Sequence, residues 1–154
     1  GIKTCFSSDS FAAYRHSALL AVGGFPQDVI GSEDAYVAAR LLLSGYAVRY
    51  AASACVEHSH DYHLLEEFRR YFDIGTFYGR EAWIGTAFGQ AGGEGKRFVL
   101  AELHALREAK ALHRAPEVLL RSMLKLLGYR LGKAEKLLCP ALKQRLSMFP
   151  GYWT

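Results

Sequence analysis

Cysteine is scarce in this sequence: Cys5, Cys55 and Cys139 are the only three in 154 residues. An odd count at long spacing, with no Cys-x-x-Cys pair, excludes a disulfide framework and a zinc ribbon. Nothing beside any of the three would depress a thiol pKa, so each is expected to be a reduced, buried structural residue of a cytoplasmic chain. No apolar run reaches the ~18–20 residues of a membrane span, and no signal peptide is visible. Only four prolines accompany 15 glycines. No tract is of low complexity and no internal repeat is present. An initiator Met is also missing: the sequence starts Gly1-Ile2-Lys3 and reads as an excised fragment.

What is there is the composition of a folded chain. Apolar residues make up 51% and charged residues 22%, which excludes disorder and collagen-like repeats. The length fits one ordinary domain, or about half of a larger enzyme domain. The net charge of +4 is unevenly spread. Residues 1–95 hold 7 Lys/Arg against 11 Asp/Glu, a net −4, and residues 96–154 hold 12 against 4, a net +8. A basic, leucine-rich second half points to an anionic surface as its partner.

Residues 4–14 mix β-formers with small polar residues and read as a short strand or extended segment. Residues 15–22 read as a short helix closed by Gly23-Gly24, followed by the turn Phe25-Pro26-Gln27-Asp28. Ser32 is placed to N-cap a helix over 33–43 whose apolar face is Val37, Ala38, Leu41 and Leu42, with Gly45 at its C′ position. The alternation over 46–50 predicts a strand, and Cys55-Val56-Glu57-His58 a second, short one. From Tyr62 the period turns helical: Leu64, Leu65, Phe68, Tyr71, Phe72 and Gly75 share a face, opposite Glu66, Glu67, Arg69 and Arg70. The glycine-rich stretch 89–95 lacks a Lys-Ser/Thr ending and follows no strand, so it reads as a flexible connector and not as a phosphate-binding loop. Further helices are expected over 96–113, over 117–131 with Pro116 in the first turn and Gly132 near the end, and on both sides of Pro140 within 133–148. The fold class expected is an α/β fragment, predominantly helical, with few short strands. Two or three such strands are too few for an independent sheet of usual size.

Two clusters are candidates for chemistry. Glu33-Asp34 opens a helix, where adjacent carboxylates equally serve the positive end of the helix dipole. In His58-Ser59-His60-Asp61-Tyr62-His63, alternate residues of a strand face one way. His58 and His60 could share a side and hold a divalent metal with Asp61 and His63, or be solvated or core histidines.

Taken in order, Phe11-Ala12-Ala13-Tyr14-Arg15, Gly23-Gly24-Phe25-Pro26, Ser32-Glu33-Asp34, Ala38-Ala39-Arg40-Leu41, Gly45-Tyr46 and Val56-Glu57-His58-Ser59-His60 resemble the second half of the catalytic domain of family-2 glycosyltransferases, the inverting GT-A enzymes. Glu67-Phe68-Arg69-Arg70-Tyr71-Phe72-Asp73-Ile74-Gly75, Gly128-Tyr129-Arg130-Leu131-Gly132 and Leu146-Ser147-Met148 are similar to the bacterial rhamnosyltransferase branch, which acts in cell-surface polysaccharide synthesis. The resemblance covers essentially the whole chain. It implies that residues 1–62 are the acceptor and catalytic-base half of a GT-A domain and residues 63–154 a helical C-terminal extension.

The resemblance implies that Asp34 is the general base, with Glu33 supporting the acceptor site or the local backbone. Gly24 and Phe25 would line the substrate, and Arg40 would pair with phosphate or serve structure. His58, with His60 the close alternative, would help hold the Mg or Mn ion that neutralises the leaving diphosphate in the intact enzyme. The implied partners are a nucleotide-sugar donor, dTDP-rhamnose in this branch, and a glycan or lipid-linked acceptor. The helix dipole is expected to hold Asp34 ionised and to limit its basicity. The family's Asp-x-Asp and its nucleotide-binding half have no counterpart in these residues. The fragment is therefore expected to require no cofactor and to be inactive by itself.

Residues 116–148 combine Leu119, Leu120, Met123, Leu124, Leu127 and Leu131 with Arg121, Lys125, Arg130, Lys133, Lys136, Lys143 and Arg145. This pattern suits a basic amphipathic helix on an anionic membrane, at the inner face of the plasma membrane, and equally a core-packing helix with a solvated basic face. A non-catalytic membrane- or partner-binding helical module is the alternative function. Aromatics are scarce among the basic residues and no nucleic-acid module fits, so nucleic acid is not an expected partner.

Overall fold

The computed structural model describes residues 1–59, 61–89 and 93–154. Among the described residues seven α-helices run α1 His16–Ala21, α2 Glu33–Leu43, α3 Leu64–Arg80, α4 Ala82–Phe88, α5 Glu94–Glu108, α6 Ala115–Lys133 and α7 Pro140–Leu146, with short 3₁₀ turns between some of them. No strand forms among the described residues, so the fold is helical and the expected α/β class is overturned. Within 4–14 the chain makes 3₁₀ turns at Ile2–Cys5 and Asp9–Phe11 instead. The alternation at 46–50 and the run at 55–58 stay irregular. The reason is that a strand is made by its neighbour: backbone N–H and C=O groups need a ladder to pair with. No ladder faces these segments among the described residues. Tyr46, Val48, Tyr50 and Val56 are all exposed there, Tyr50 at 90%.

The chain divides into two compact units, Gly1–Asp61 with Glu81–Gln90, and Tyr62–Arg80 with Ala91–Thr154. In the first, α1 and α2 pack through Ala18, Val22, Val37 and Leu41. Both helices end as their glycines predict. Gly23 N–H bonds to Leu20 O and Gly24 N–H to Leu19 O, while Gly45 N–H bonds to Leu42 O and Tyr46 N–H to Leu41 O. These are Schellman closures with the C′ glycine at positive φ. At the start of α2, Ser32 occupies the N-cap position but takes a left-handed conformation, and its side chain makes no cap bond. Asp34 Oδ1 accepts the Ala35 amide instead, at 2.7 Å. Helix α4 is not foreshadowed by the sequence. Its Ile84 is fully buried, and Trp83 meets Tyr36 edge-on at 5.6 Å. Of the cysteines, Cys5 is buried, but Cys55 and Cys139 are exposed, contrary to expectation.

In the second unit, α3 and α6 meet backbone to backbone through glycines. A Cβ built at Gly75 would collide with Tyr129, one at Gly128 with the Phe68 carbonyl, and one at Gly132 with the Phe72 carbonyl. Gly75/Gly79 and Gly128/Gly132 are both small-x-x-x-small pairs, the spacing that lets two helices approach closely. Helix α6 ends at Lys133, beside Gly132 as expected, and Gly132 also serves the close approach to α3. Helix α5 stops at Glu108, short of the expected 113, because Lys110 adopts the left-handed C′ conformation (φ 54) that usually marks a glycine. Helix was expected on both sides of Pro140; before it the chain makes only the 3₁₀ turn Glu135–Leu137, then Leu138 and Cys139 are extended, as suits a residue preceding proline, and Pro140 opens α7. Part of the glycine-rich connector, residues 90–92, lies outside the described residues.

The expected basic face of 116–148 is partly consumed internally. Arg121 pairs with Glu117 at 3.0 Å and with Glu67 at 3.2 Å, and Lys125 reaches Glu67 at 3.6 Å. Lys143 and Arg80 both pair with the buried Glu135. Burial opposes ionisation of Glu135, but the Lys143 and Arg80 hydrogen bonds outweigh it and hold the carboxyl below its ordinary value. Leu119, Leu120, Met123, Leu126 and Leu127 nevertheless remain exposed on α6. No helix among the described residues is long and apolar enough to cross a membrane.

Asp73 ties the C-terminal segment to α3. It is buried, its Oδ2 accepts the Met148 amide at 2.7 Å, and the Ser147 hydroxyl also favours its charged form. Burial dominates these bonds and pushes its pKa from 3.8 up to about 6. The folded state thus holds the proton more tightly than the unfolded chain. The associated stabilisation is complete below pH ~4 and is lost as pH rises through 6. A shift of this size is worth about 3 kcal/mol. The urea midpoint of the wild-type chain is expected to fall between pH 4 and 7, and Asp73→Asn to flatten that fall. An equal slope in Asp73→Asn would assign the pH dependence to other groups.

Candidate functional site

Of the residues singled out in the sequence, Glu33 and Asp34 form the start of α2 in the first unit. Asp34 is half-buried in its first turn, and Glu33 beside it is exposed. Desolvation raises the Asp34 pKa, and the charges of Asp9 and Glu33 add to the rise, against the hydrogen bond from the Ala35 backbone. The direction is opposite to the lowering expected from the helix dipole. A carboxylate in water-poor surroundings beside two like charges binds a proton more readily. No cation forms an ion pair with Asp34 among the described residues.

Asp9 was not foreseen. It lies in the 3₁₀ turn Asp9–Phe11 and is 25 residues from Asp34 in sequence, yet its charge acts on the Asp34 carboxyl. The Tyr14 hydroxyl donates to Asp9 Oδ1 at 2.6 Å. Burial, followed by the Asp9 hydrogen bond, pushes the Tyr14 pKa up to about 12, so this phenol stays a proton donor. Tyr14 in turn meets Phe25 edge-on at 5.3 Å. Phe25 follows Gly24, whose positive φ of 75° belongs to the closure of α1. The turn after α1 thus carries Phe25 to Tyr14, and Tyr14 reaches Asp9. The signal available in the sequence was the polar run Ser7-Ser8-Asp9-Ser10 just before the Phe11–Arg15 motif.

The same turn reaches the histidine segment. Ser10 Oγ lies 3.2 Å from His58 Nε2. Arg40, in the last turn of α2, is exposed and forms no ion pair among the described residues. It is not brought to the Asp34 side chain. His60 lies outside the described residues. Among those residues no group of three or more His, Cys, Asp or Glu side chains converges to hold a metal ion. The residues described here thus do not fit a complete metal centre, and His58 offers a single imidazole.

Comparison with known proteins bears on what this arrangement serves. The chain is 47% identical over 153 residues to the O-antigen chain rhamnosyltransferase WbaN of Salmonella anatum. It is 46% identical over 153 residues to the O-antigen chain rhamnosyltransferase RfbN of Salmonella typhimurium. Each match takes in 99% of this chain but 48% of the relative, so the chain spans about half the length of the curated relatives it matches. No protein-family model matches the chain, and no solved structure does.

Proposed function

We propose that this chain is the base-bearing part of a nucleotide-sugar-dependent, inverting glycosyltransferase of family 2 that transfers rhamnose during cell-surface polysaccharide synthesis. The observation that carries the reading is the 47% identity to a protein named as a rhamnosyltransferase, sustained along 99% of these residues. Asp34 is the general base. It takes the proton of an acceptor hydroxyl as that oxygen attacks the anomeric carbon from the face opposite the nucleotide. The bond from that carbon to the diphosphate oxygen breaks, the electron pair leaves with the diphosphate, and the anomeric centre inverts. A raised proton affinity supports this role, because a base works best with a pKa closer to the operating pH than an ordinary aspartate has. Glu33, exposed at the same helix start, supports the acceptor side. Gly24 and Phe25 border the substrate through the turn that holds Tyr14.

The donor is a rhamnosyl nucleotide, with dTDP-rhamnose the form to test first, and the acceptor is a glycan or a lipid-linked glycan. A divalent metal would neutralise the diphosphate in the intact enzyme. Because the described residues make no complete site for it, His58 is proposed only as one donor to an ion shared with other residues. Exposed Leu120 and Met123 of α6, in a segment of net positive charge, suit an anionic membrane surface. Sedimentation with anionic vesicles, lost in Leu120→Asp/Met123→Asp, tests that contact.

The intact protein, supplied with dTDP-rhamnose and a glycan acceptor, is expected to form a rhamnosyl linkage of anomeric configuration opposite to the donor's, read by NMR. A retained configuration would overturn the inverting mechanism. The 154-residue chain alone is expected to show no transfer in the same assay. Turnover by it would overturn the assignment of the donor-binding residues elsewhere.

A further inference from the structure

Helix α6 has two unlike sides. At 3.6 residues per turn, Gly128, Gly132, Arg121 and Lys125 fall on one of them. That side is seated on α3: the two glycines meet its backbone, and Arg121 and Lys125 both pair with its Glu67. Leu119, Leu120, Met123, Leu126, Leu127 and Leu131 fall on the other side, within an arc of about 140°. All six are exposed among the described residues, Met123 at 60%. A contiguous apolar face of this extent marks a docking surface. Its charge has one sign. Arg130 falls inside the leucine arc and Lys133 at its edge; both are exposed, and neither forms an ion pair among the described residues. Residues 118–133 contain no Asp or Glu at all.

We propose that α6 is a preformed docking face for an anionic bilayer: it lies flat in the headgroup layer on its leucine arc, Arg130 and Lys133 hold lipid phosphates, and α3 backs it from behind. This rests on the reading that α6 suits an anionic membrane, and adds which side meets the lipid, which cations hold it, and that no folding accompanies the contact. Charge selects this occupant. A second copy would bring the same face, with two more cations and no carboxylate to receive them. A covering protein segment would enclose the Arg130 guanidinium in an apolar contact, at the cost of an unpaired buried charge. A headgroup layer accepts both parts, since the leucines enter the acyl boundary while the long Arg130 and Lys133 side chains reach outward to phosphate. The helix lies on the bilayer and does not cross it, because no helix among the described residues is long and apolar enough. Its orientation is fixed in advance. With Gly75, Gly128 and Gly132 at backbone contact, α6 cannot turn about its axis without driving a side chain into α3.

The test floats the intact enzyme with vesicles rich in phosphatidylglycerol and, separately, with phosphatidylcholine vesicles. Recovery with the first and not the second is expected; equal recovery with both overturns the role given to charge. Arg130→Glu/Lys133→Glu is expected to weaken binding by roughly thirtyfold, about fivefold for each cation lost. Arg15→Glu/Arg49→Glu makes the same charge change at exposed residues of the first unit, and is expected to weaken it by no more than about twofold. Helical circular dichroism is expected to be the same with and without lipid, and a rise on binding overturns the preformed face. Equal losses in the two double variants, with binding still abolished in Leu120→Asp/Met123→Asp, overturn the assigned cations and leave the membrane reading in place. Failure of the wild-type enzyme to float overturns both. Without lipid, Leu120→Asp/Met123→Asp is expected to keep the urea midpoint and the mass of the wild type. A lowered midpoint shows the face covered by the rest of the protein, a halved mass shows it covered by a second copy, and either overturns the proposal.

Discussion

Gly132→Ala is expected to destabilise the second unit by more than about 3 kcal/mol, the opposite sign from an ordinary glycine-to-alanine change in a helix. In an open helical position that change stabilises by roughly 1 kcal/mol through propensity. At Gly132 the new Cβ would overlap the Phe72 carbonyl oxygen and stand 2.7 Å from the Thr76 amide nitrogen and 2.9 Å from the Phe72 carbonyl carbon. Those atoms belong to the backbone of α3, so no side chain can swing away. The two helices must separate, which loosens the contacts of Phe72 and Thr76, both fully buried. Overpacking against a rigid wall costs 1–3 kcal/mol or more. Gly95→Ala is the matched control: it lies in α5 with nothing within 4 Å of its built Cβ. Urea unfolding of both variants measures the contrast. A Gly132→Ala midpoint at or above that of Gly95→Ala would show that α3 and α6 do not approach as closely as described.

Asp34→Asn in the intact enzyme is expected to lower kcat by about 10²–10⁴-fold, or ~3–5 kcal/mol of transition-state stabilisation, while donor binding stays unchanged. Asparagine keeps the shape and can still accept the Ala35 amide bond, so the helix start is preserved. It cannot take a proton from the acceptor. In the wild-type enzyme the raised proton affinity of Asp34 sets the sign of the pH dependence. Activity needs the ionised carboxylate, so kcat/KM falls on the acid side, at a pH above that of an ordinary aspartate. Donor binding measured by calorimetry, beside turnover, separates a lost base from a lost fold. Retained turnover with intact binding would remove Asp34 from the chemistry.

The three stretches behind the rhamnosyltransferase resemblance turn out to be one packing arrangement. Asp73 binds the Met148 amide, Gly75 faces Tyr129, and Gly128 and Gly132 face Phe68 and Phe72. They hold the second unit together. The residues suited to chemistry lie in the first unit and were only partly legible. Asp34 and Glu33 were visible because a paired carboxylate at a helix start is a local pattern. Asp9 and Tyr14 were not singled out for chemistry, since the partnership of Asp9 with Asp34 spans 25 residues and no periodicity records it.

The sequence by itself determined the features that obey local rules. The bounds of α2, the glycine closures of α1 and α2 and the amphipathic face of α3 follow from propensity, capping and period, which act within a few residues. The tertiary structure alone decided the rest. It left 46–50 and 55–58 without strands, because pairing needs a neighbour. It seated Gly128 and Gly132 of α6 against the α3 backbone, where a Cβ would not fit. It placed α4 in the first unit, and it set a charged turn beside Asp34. Each of these depends on which atoms meet across the fold, and a one-dimensional pattern does not encode that meeting.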